Sequence, residues 1–190
     1  MLRGTIALTA RQAIGKIRGT FPSILTPHTP TLFQTAWEEL ARLRAPYHEL
    51  FINDSREERL ENADGLPYTL DFLVSDELDL MEALLKAPPV KNELQGQLKQ
   101  APEGPPSVSW LQGILQSAIS YAHITMEDEG FWELDVNLFL SEEASVTANY
   151  TPRIAAGALV SSGLLEWLKE VSIEALLINC RALFTDPSTS

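Results

Sequence analysis

The stretch 127–157, EDEGFWELDVNLFLSEEASVTANYTPRIAAG, concentrates side chains that could do chemistry. Its acids are Glu127, Asp128, Glu129, Glu133, Asp135, Glu142 and Glu143, and its aromatic residues are Phe131, Trp132, Phe139 and Tyr150. No Lys or Arg occurs in this stretch before Arg153. The pattern allows two interpretations, a catalytic cluster of carboxylates or a recognition segment between helices.

The residues needed for catalysis do not come together in the sequence. Asp128 and Glu129 could act as general acid and base, but adjacent residues on a helix do not face each other. The histidines, His28, His48 and His123, are far apart, and no His-x-x-x-His or cysteine pair predicts a zinc site. Neither a glycine-rich phosphate loop nor a Gly-x-Ser-x-Gly turn occurs. We therefore expect a protein that is not an enzyme and that uses no metal or cofactor.

The acids have a structural use and a binding use, which are compatible. Thr125 is a candidate N-cap, and residues 127–129 would then complement the dipole in the first turn of a helix. The apolar residues expected to face the core are Phe131, Trp132, Leu134 and Leu138. Arg153, alone among so many acids, is expected to pair with one of them. The remaining carboxylates would form a solvated face, which could contact a basic partner.

The apolar residues elsewhere follow the helical period of i, i+3, i+4 and i+7. The stripes are Phe33, Ala36, Trp37 and Leu40; Leu70, Val74, Leu78, Met81 and Leu85; Leu111, Ile114, Leu115, Ala118 and Ala122; and Ile173, Leu176, Leu177, Cys180 and Phe184. Thr29-Pro30 and Thr151-Pro152 each place a capping hydroxyl before a proline, which is typical of a helix start. Alternating strand patterns are scarce. The sequence predicts an all-α chain.

Polar segments separate these helices, and two of them are predicted as loops, near 53–67 and 87–107. Amphipathic helices joined by such loops can bury their stripes by stacking as antiparallel hairpins. HEAT repeats of this kind run about 40–47 residues, so the chain would hold about four. We expect residues 1–190 to form a single α-solenoid segment.

Charge narrows the possible partners. The chain of 190 residues has a formal net charge of −12. Nucleic acid and anionic membranes would be repelled, and a basic protein would be attracted. The start of the chain is basic and acid-free up to Glu38, a composition that mitochondrial transit peptides share. We interpret it as the remainder of a helix from the preceding repeat rather than as a targeting signal. Cys180, the only cysteine, is expected to be a small buried hydrophobe in a reducing compartment.

The segment ISYAHITMEDEGFWELDVNLFLSEEASVTANYTPRIAAGAL resembles the β-karyopherins, the importin and exportin superfamily of HEAT-repeat nuclear transport receptors. An apolar helix ends in an Ile-Thr step, an acidic turn with Trp132 follows, and the module closes with Tyr-Thr-x-Arg-Ile-Ala-Ala at 150–156. That last form is most similar to the importin nine branch. The resemblance covers roughly residues 11–165 and includes the segment TFPSILTPHTPTLFQTAWEEL.

The resemblance implies a function in nuclear import. Receptors of this branch carry basic cargo such as histones from the cytoplasm to the nucleus and release it to Ran-GTP. They are far longer than this chain, and their main Ran-binding surface lies in N-terminal repeats that the chain does not resemble. We therefore expect a middle segment of such a receptor, with Ran-GTP binding by the full receptor. The alternative is a HEAT-like interaction scaffold that is unrelated to transport.

Overall fold

The computed structural model describes residues 13, 16, 22–53, 70–100, 109–143 and 151–185. Throughout these residues the regular structure is helical, without a strand. The elements in chain order are α1 (Pro22–Leu25), a 3-10 turn (Thr26–His28), α2 (Thr29–Phe51), α3 (Leu70–Leu85), α4 (Pro88–Gln100), α5 (Ser109–Tyr121), α6 (Met126–Leu134), α7 (Val136–Glu143), α8 (Pro152–Ala158), a π-helical segment (Leu159–Leu165), α9 (Glu166–Leu168) and α10 (Glu170–Thr185). The predicted all-α fold of HEAT type is confirmed.

The core is built around α3, which packs against α2, α4, α8 and the π-helical segment. Its apolar stripe is fully buried at Val74, Leu78, Met81 and Leu85. On α2, Phe33, Ala36 and Leu40 of the predicted stripe are buried, and Trp37 is half-buried against the core. Burying stripes from several helices against one another supplies the main driving force for this arrangement.

The hydroxyl of Thr29 does not cap α2, contrary to the prediction from Thr29-Pro30. It donates to the carbonyl oxygen of Thr26 at 2.8 Å. The residue already has helical dihedral angles because a 3-10 turn leads directly into the helix. The helix start was predicted correctly, but its capping group was wrong.

The prediction of a loop at 87–107 is wrong for residues 88–100, which form α4. Pro88 and Pro89 occupy the first turn of this helix, where a missing N–H costs nothing and the fixed φ of proline suits the helix. Val90 and Leu94 are then buried on one side of it. Residues 101–107, and residues 54–67 of the other predicted loop, lie outside the described part of the chain.

A stack of side chains joins three elements at the end of the core. The indoles of Trp110 on α5 and Trp167 on α9 stack with centroids 6.1 Å apart and an interplanar angle of 16°. The Nζ atom of Lys91, on α4, lies 5.4 Å from the centroid of the Trp167 ring. Cation–π and stacking contacts of this kind stabilise a junction beyond the area that they bury.

The stripe predicted on α10 coincides only in part with the face that the helix buries, because Leu176 packs against the core but other members of the stripe do not. Ile173 and Leu177 are each half exposed, whereas Ser172, Ala175 and Asn179 are buried. The Nδ2 atom of Asn179 donates to Oε1 of Gln112 on α5 at 2.6 Å. A hydrogen-bonded polar residue therefore contributes to the contact with α5. Cys180, in turn, is only partly buried.

The chain changes direction at Lys169, the described non-glycine residue with a positive φ. Its dihedral angles are φ 47° and ψ −117°, a region that glycine adopts freely and other residues adopt under strain. We expect Lys169→Gly to raise the free energy of unfolding by about 1 kcal/mol, and the melting temperature by about 2–4 °C, as chemical and thermal denaturation would measure.

Lys99→Gly is the matched control, because it also removes an exposed lysine but lies within helix α4. Glycine inside a helix should lower stability by about 0.5–1 kcal/mol. If both variants lose stability equally, the Lys169 backbone is not strained.

Candidate protein-binding site

The acidic segment begins with a capping box at the start of α6. The hydroxyl oxygen of Thr125 accepts from the backbone N–H of Asp128 at 3.2 Å. The carboxylate of Asp128 accepts in return from the backbone N–H of Thr125 at 3.0 Å and from its hydroxyl at 2.9 Å. This arrangement satisfies helix N–H groups that would otherwise have no partner. The predicted N-cap at Thr125 is confirmed.

Asp128 also holds Arg153, so the cap is tied to the following helix. A guanidinium nitrogen of Arg153, on α8, lies 3.5 Å from a carboxylate oxygen of Asp128. The centre of the guanidinium lies 5.8 Å from the ring centroid of Phe139 on α7. The predicted pairing of Arg153 with one of the acids is therefore confirmed. One side chain connects α6, α7 and α8.

We expect Arg153→Ala to lower the free energy of unfolding by about 1–2 kcal/mol, because the variant loses a partly buried ion pair and a cation–π contact. Both partners of the ion pair are about one-fifth exposed, so water screens the pair only in part. Urea denaturation would measure the loss.

Arg42→Ala provides the comparison for this variant. Arg42 pairs with Glu38 at 3.7 Å on the surface of α2, and both side chains are more than half exposed. Such a pair contributes about 0.5 kcal/mol or less. Equal losses for the two variants would contradict a structural role of Arg153.

The other predicted acids differ from Asp128 in their surroundings. Glu127, Glu129, Glu133 and Asp135 are exposed. The carboxylate of Asp135 accepts from the backbone N–H groups of Asn137 and Leu138, each at 3.0 Å, and so opens α7. Glu142 and Glu143 lie in α7, but their side chains fall outside the described residues, as does the whole of Tyr150.

Three of the four apolar residues that were expected to face the core are exposed instead. Trp132 is 47% exposed, Leu134 81% and Leu138 47%. Phe131 is half-buried. The reason is that α6 and α7 pack mainly against each other, so only one side of each short helix is covered.

The two helices meet around Phe139, which is 7% exposed. Its ring lies 6.0 Å from that of Phe131 and 5.2 Å from that of Trp132, both in edge-to-face orientation. Phe139 and Arg153 therefore both lie where α6, α7 and α8 meet. The Trp132 ring contributes to the contact on one side and remains open to solvent on the other.

We call the exposed part of these helices the α6–α7 surface, and its members are Glu127, Glu129, Trp132, Glu133, Leu134, Asp135 and Leu138. Large apolar side chains in the neighbourhood of carboxylates are a common composition for protein-binding surfaces. Sequence reasoning found the acids but missed the exposure of the apolar residues. The sequence signal for this exposure was Asp135, which ends α6 and caps the start of α7. The apolar period of one helix therefore does not continue into the next.

The described residues contain no cluster of three or more metal-ligating side chains. Nor does any described helix combine the length and the hydropathy that a membrane span requires.

Comparison with known proteins finds similarity to importins. Residues 105–190 match the family model of the importin-9 central HEAT repeats. The chain is also 27% identical over 163 residues to importin subunit beta-5 of Schizosaccharomyces pombe, an alignment that covers 85% of this chain and 15% of that protein. No solved structure matches it. The resemblance to importin-β-type receptors is thus confirmed, and the chain spans about one-seventh of the relative's length.

Proposed function

From the resemblance to importin-9 repeats, we propose that this chain forms part of a nuclear import receptor and binds a basic protein cargo of the histone type. The function is recognition rather than catalysis. In the complete receptor, cargo would be carried from the cytoplasm to the nucleus and released to Ran-GTP. The observation that carries the proposal is the exposure of Glu127, Glu129, Glu133 and Asp135 within the segment that matches the importin-9 model.

Charge and chemistry favour such a cargo at the α6–α7 surface. A cluster of exposed carboxylates on a chain with a net charge of −12 attracts basic chains over a Debye length and speeds their association. Trp132, Leu134 and Leu138 lie on the same pair of helices and could anchor apolar side chains of the cargo. Aromatic anchors give most of the binding energy at protein interfaces, and charges at the rim mainly give orientation and rate.

The test is binding of the chain to a core histone dimer, measured by calorimetry at two salt concentrations. We expect the double variant Glu129→Gln/Glu133→Gln to weaken binding about fivefold, since each exposed charge contributes about 0.5 kcal/mol. Higher salt should reduce the difference in histone affinity between the variant and the unsubstituted chain. Trp132→Ala should weaken binding with little dependence on salt.

Glu93→Gln/Glu174→Gln is the matched control, because it removes the same charge from exposed positions on α4 and α10. If it weakens binding as much as the first pair, net charge and not the α6–α7 surface attracts the histones. If the chain does not bind histones but binds another basic protein, the result would favour the alternative function, an interaction scaffold that is unrelated to transport. A parallel measurement with Ran-GTP tests whether the nucleotide-bound GTPase competes with cargo on this chain.

A further inference from the structure

A second polar cluster lies away from the carboxylates of the α6–α7 surface, where α2 meets the end of α5. An open cavity of about 350 Å³ is lined by Arg44, Ala45 and His48 of α2, and by Ser120 and His123 at the end of α5. These lining residues include a guanidinium, two imidazoles and a hydroxyl, and no carboxylate. On a chain with a net charge of −12, this local excess of N–H donors is unusual.

His48 is hydrogen-bonded to Ser120 at the edge of the cavity. The Nε2 atom of His48 lies 3.1 Å from the carbonyl oxygen of Ser120 and 2.6 Å from its hydroxyl oxygen. A carbonyl oxygen can only accept, so Nε2 carries the hydrogen and donates. The hydroxyl oxygen of Ser120 then accepts from the imidazole, and its own hydrogen remains available to a ligand.

The two imidazoles lie close enough to affect each other. Their ring centroids are 5.3 Å apart with an interplanar angle of 58°. Burial lowers the pKa of His123, and the neighbouring His48 lowers it further. Both effects disfavour a positive charge on His123, and an anion in the cavity would offset both of them.

The charged groups around the cavity come from several helices. Burial raises the pKa of the Tyr121 hydroxyl, and the nearby positive charge of Arg44 lowers it in part. Asp71 of α3 and Asp128 of α6 act on the buried Tyr47, and both raise its pKa in addition to the larger effect of burial. Glu77 of α3 likewise raises the pKa of Tyr121, and Arg153 of α8 lowers that of Tyr47. None of these four groups lines the cavity.

We infer that the cavity between α2 and α5 binds a phosphate-type anion, either free phosphate or a phosphoryl group on a peptide side chain. The guanidinium of Arg44 offers a fork of donors that suits phosphate, and the His123 imidazole and the Ser120 hydroxyl add further donors. A metal cation is disfavoured by the same guanidinium, which stays charged at every relevant pH. The inference does not rest on the proposed transport function.

Histidine NMR of the full chain tests this site with inorganic phosphate as the probe, at constant ionic strength maintained with chloride. At about pH 6 we expect saturable shifts of the His48 and His123 signals and a rise in the apparent pKa of His123. Binding should weaken as the pH rises through that pKa, because a neutral His123 imidazole attracts an anion less. Arg44→Gln should weaken binding about tenfold, and His123→Gln should also weaken it.

Arg42→Gln is the matched control for Arg44→Gln, since it removes an exposed arginine from the same helix outside the cavity. This variant should change the affinity for phosphate by less than about twofold. Equal losses for the two arginine variants, or unchanged histidine signals with phosphate, would overturn the inference. A phosphoserine peptide and its unphosphorylated form are the second probes, and tighter binding of the phosphopeptide than of free phosphate would identify a peptide as the source.

Discussion

Leu78→Ala should lower the free energy of unfolding by about 2–5 kcal/mol, the largest effect that we expect from a single substitution. Leu78 is 0% exposed in the middle of α3, the helix around which the core is built. Removing its side chain loses apolar contacts on more than one neighbouring helix and leaves a cavity that the surrounding structure can fill only in part. Urea denaturation followed by circular dichroism would measure the change.

Leu134→Ala is the control, because Leu134 lies at the end of α6 and is 81% exposed. Its truncation should change stability by about 0.5 kcal/mol or less. Similar losses for the two leucines would mean that α3 is not central to the core. A large loss for Leu134 alone would place the α6–α7 surface inside a contact, and it would then not be open to a partner.

The second large effect is expected at Gly113, where α2 and α5 approach each other. A Cβ atom added at this position would lie 2.6 Å from Cζ2 of Trp37 and 3.2 Å from its Cε2. The indole would have to move out of its contact with the core. We expect Gly113→Ala to destabilise the protein by about 1–3 kcal/mol, as thermal and urea unfolding would measure.

Gly96→Ala separates this clash from the ordinary effect of glycine in a helix. Gly96 lies within α4, and a Cβ atom there would meet nothing within 4 Å. Alanine should therefore stabilise α4 by about 0.5–1 kcal/mol, so the two substitutions should have opposite signs. Adding Trp37→Leu should recover part of the stability that Gly113→Ala loses. Without such coupling, the clash is not the cause.

The sequence predicted the fold class because most of the chain follows one period. The stripes around Leu40 and Leu78 recur every three or four residues, and burial of those positions follows from helix geometry. The helix start at Thr151 was also predicted from neighbouring residues. The hydroxyl oxygen of Thr151 accepts from the backbone N–H of Ile154 at 3.4 Å. Capping depends on neighbours in sequence and can be predicted from them.

Tertiary packing explains the errors. Periodicity on α10 favoured the face with Ile173 and Leu177, but the buried positions of this helix include the smaller residues Ser172 and Ala175. Hydrophobicity alone cannot identify which face has a neighbour.

The same limit applies to the candidate sites. The carboxylates of the α6–α7 surface were found by counting charges in a short segment, whereas the cavity between α2 and α5 depends on His48 and His123. These residues are 75 positions apart in the chain. Only the packing of the two helices brings their rings within reach of each other.

The π-helical segment at 159–165 has a consequence for how this part of the chain can change over evolution. A π-turn holds about one residue more than an α-turn, and deleting one residue would restore the α-helix. Both kinds of turn complete one full rotation, so such a deletion would leave α9 and the residues after it in about the same orientation. A single codon could thus be lost here without redirecting the side chains of the last helices, whereas a deletion from a regular α-helix would rotate the residues that follow by about 100°.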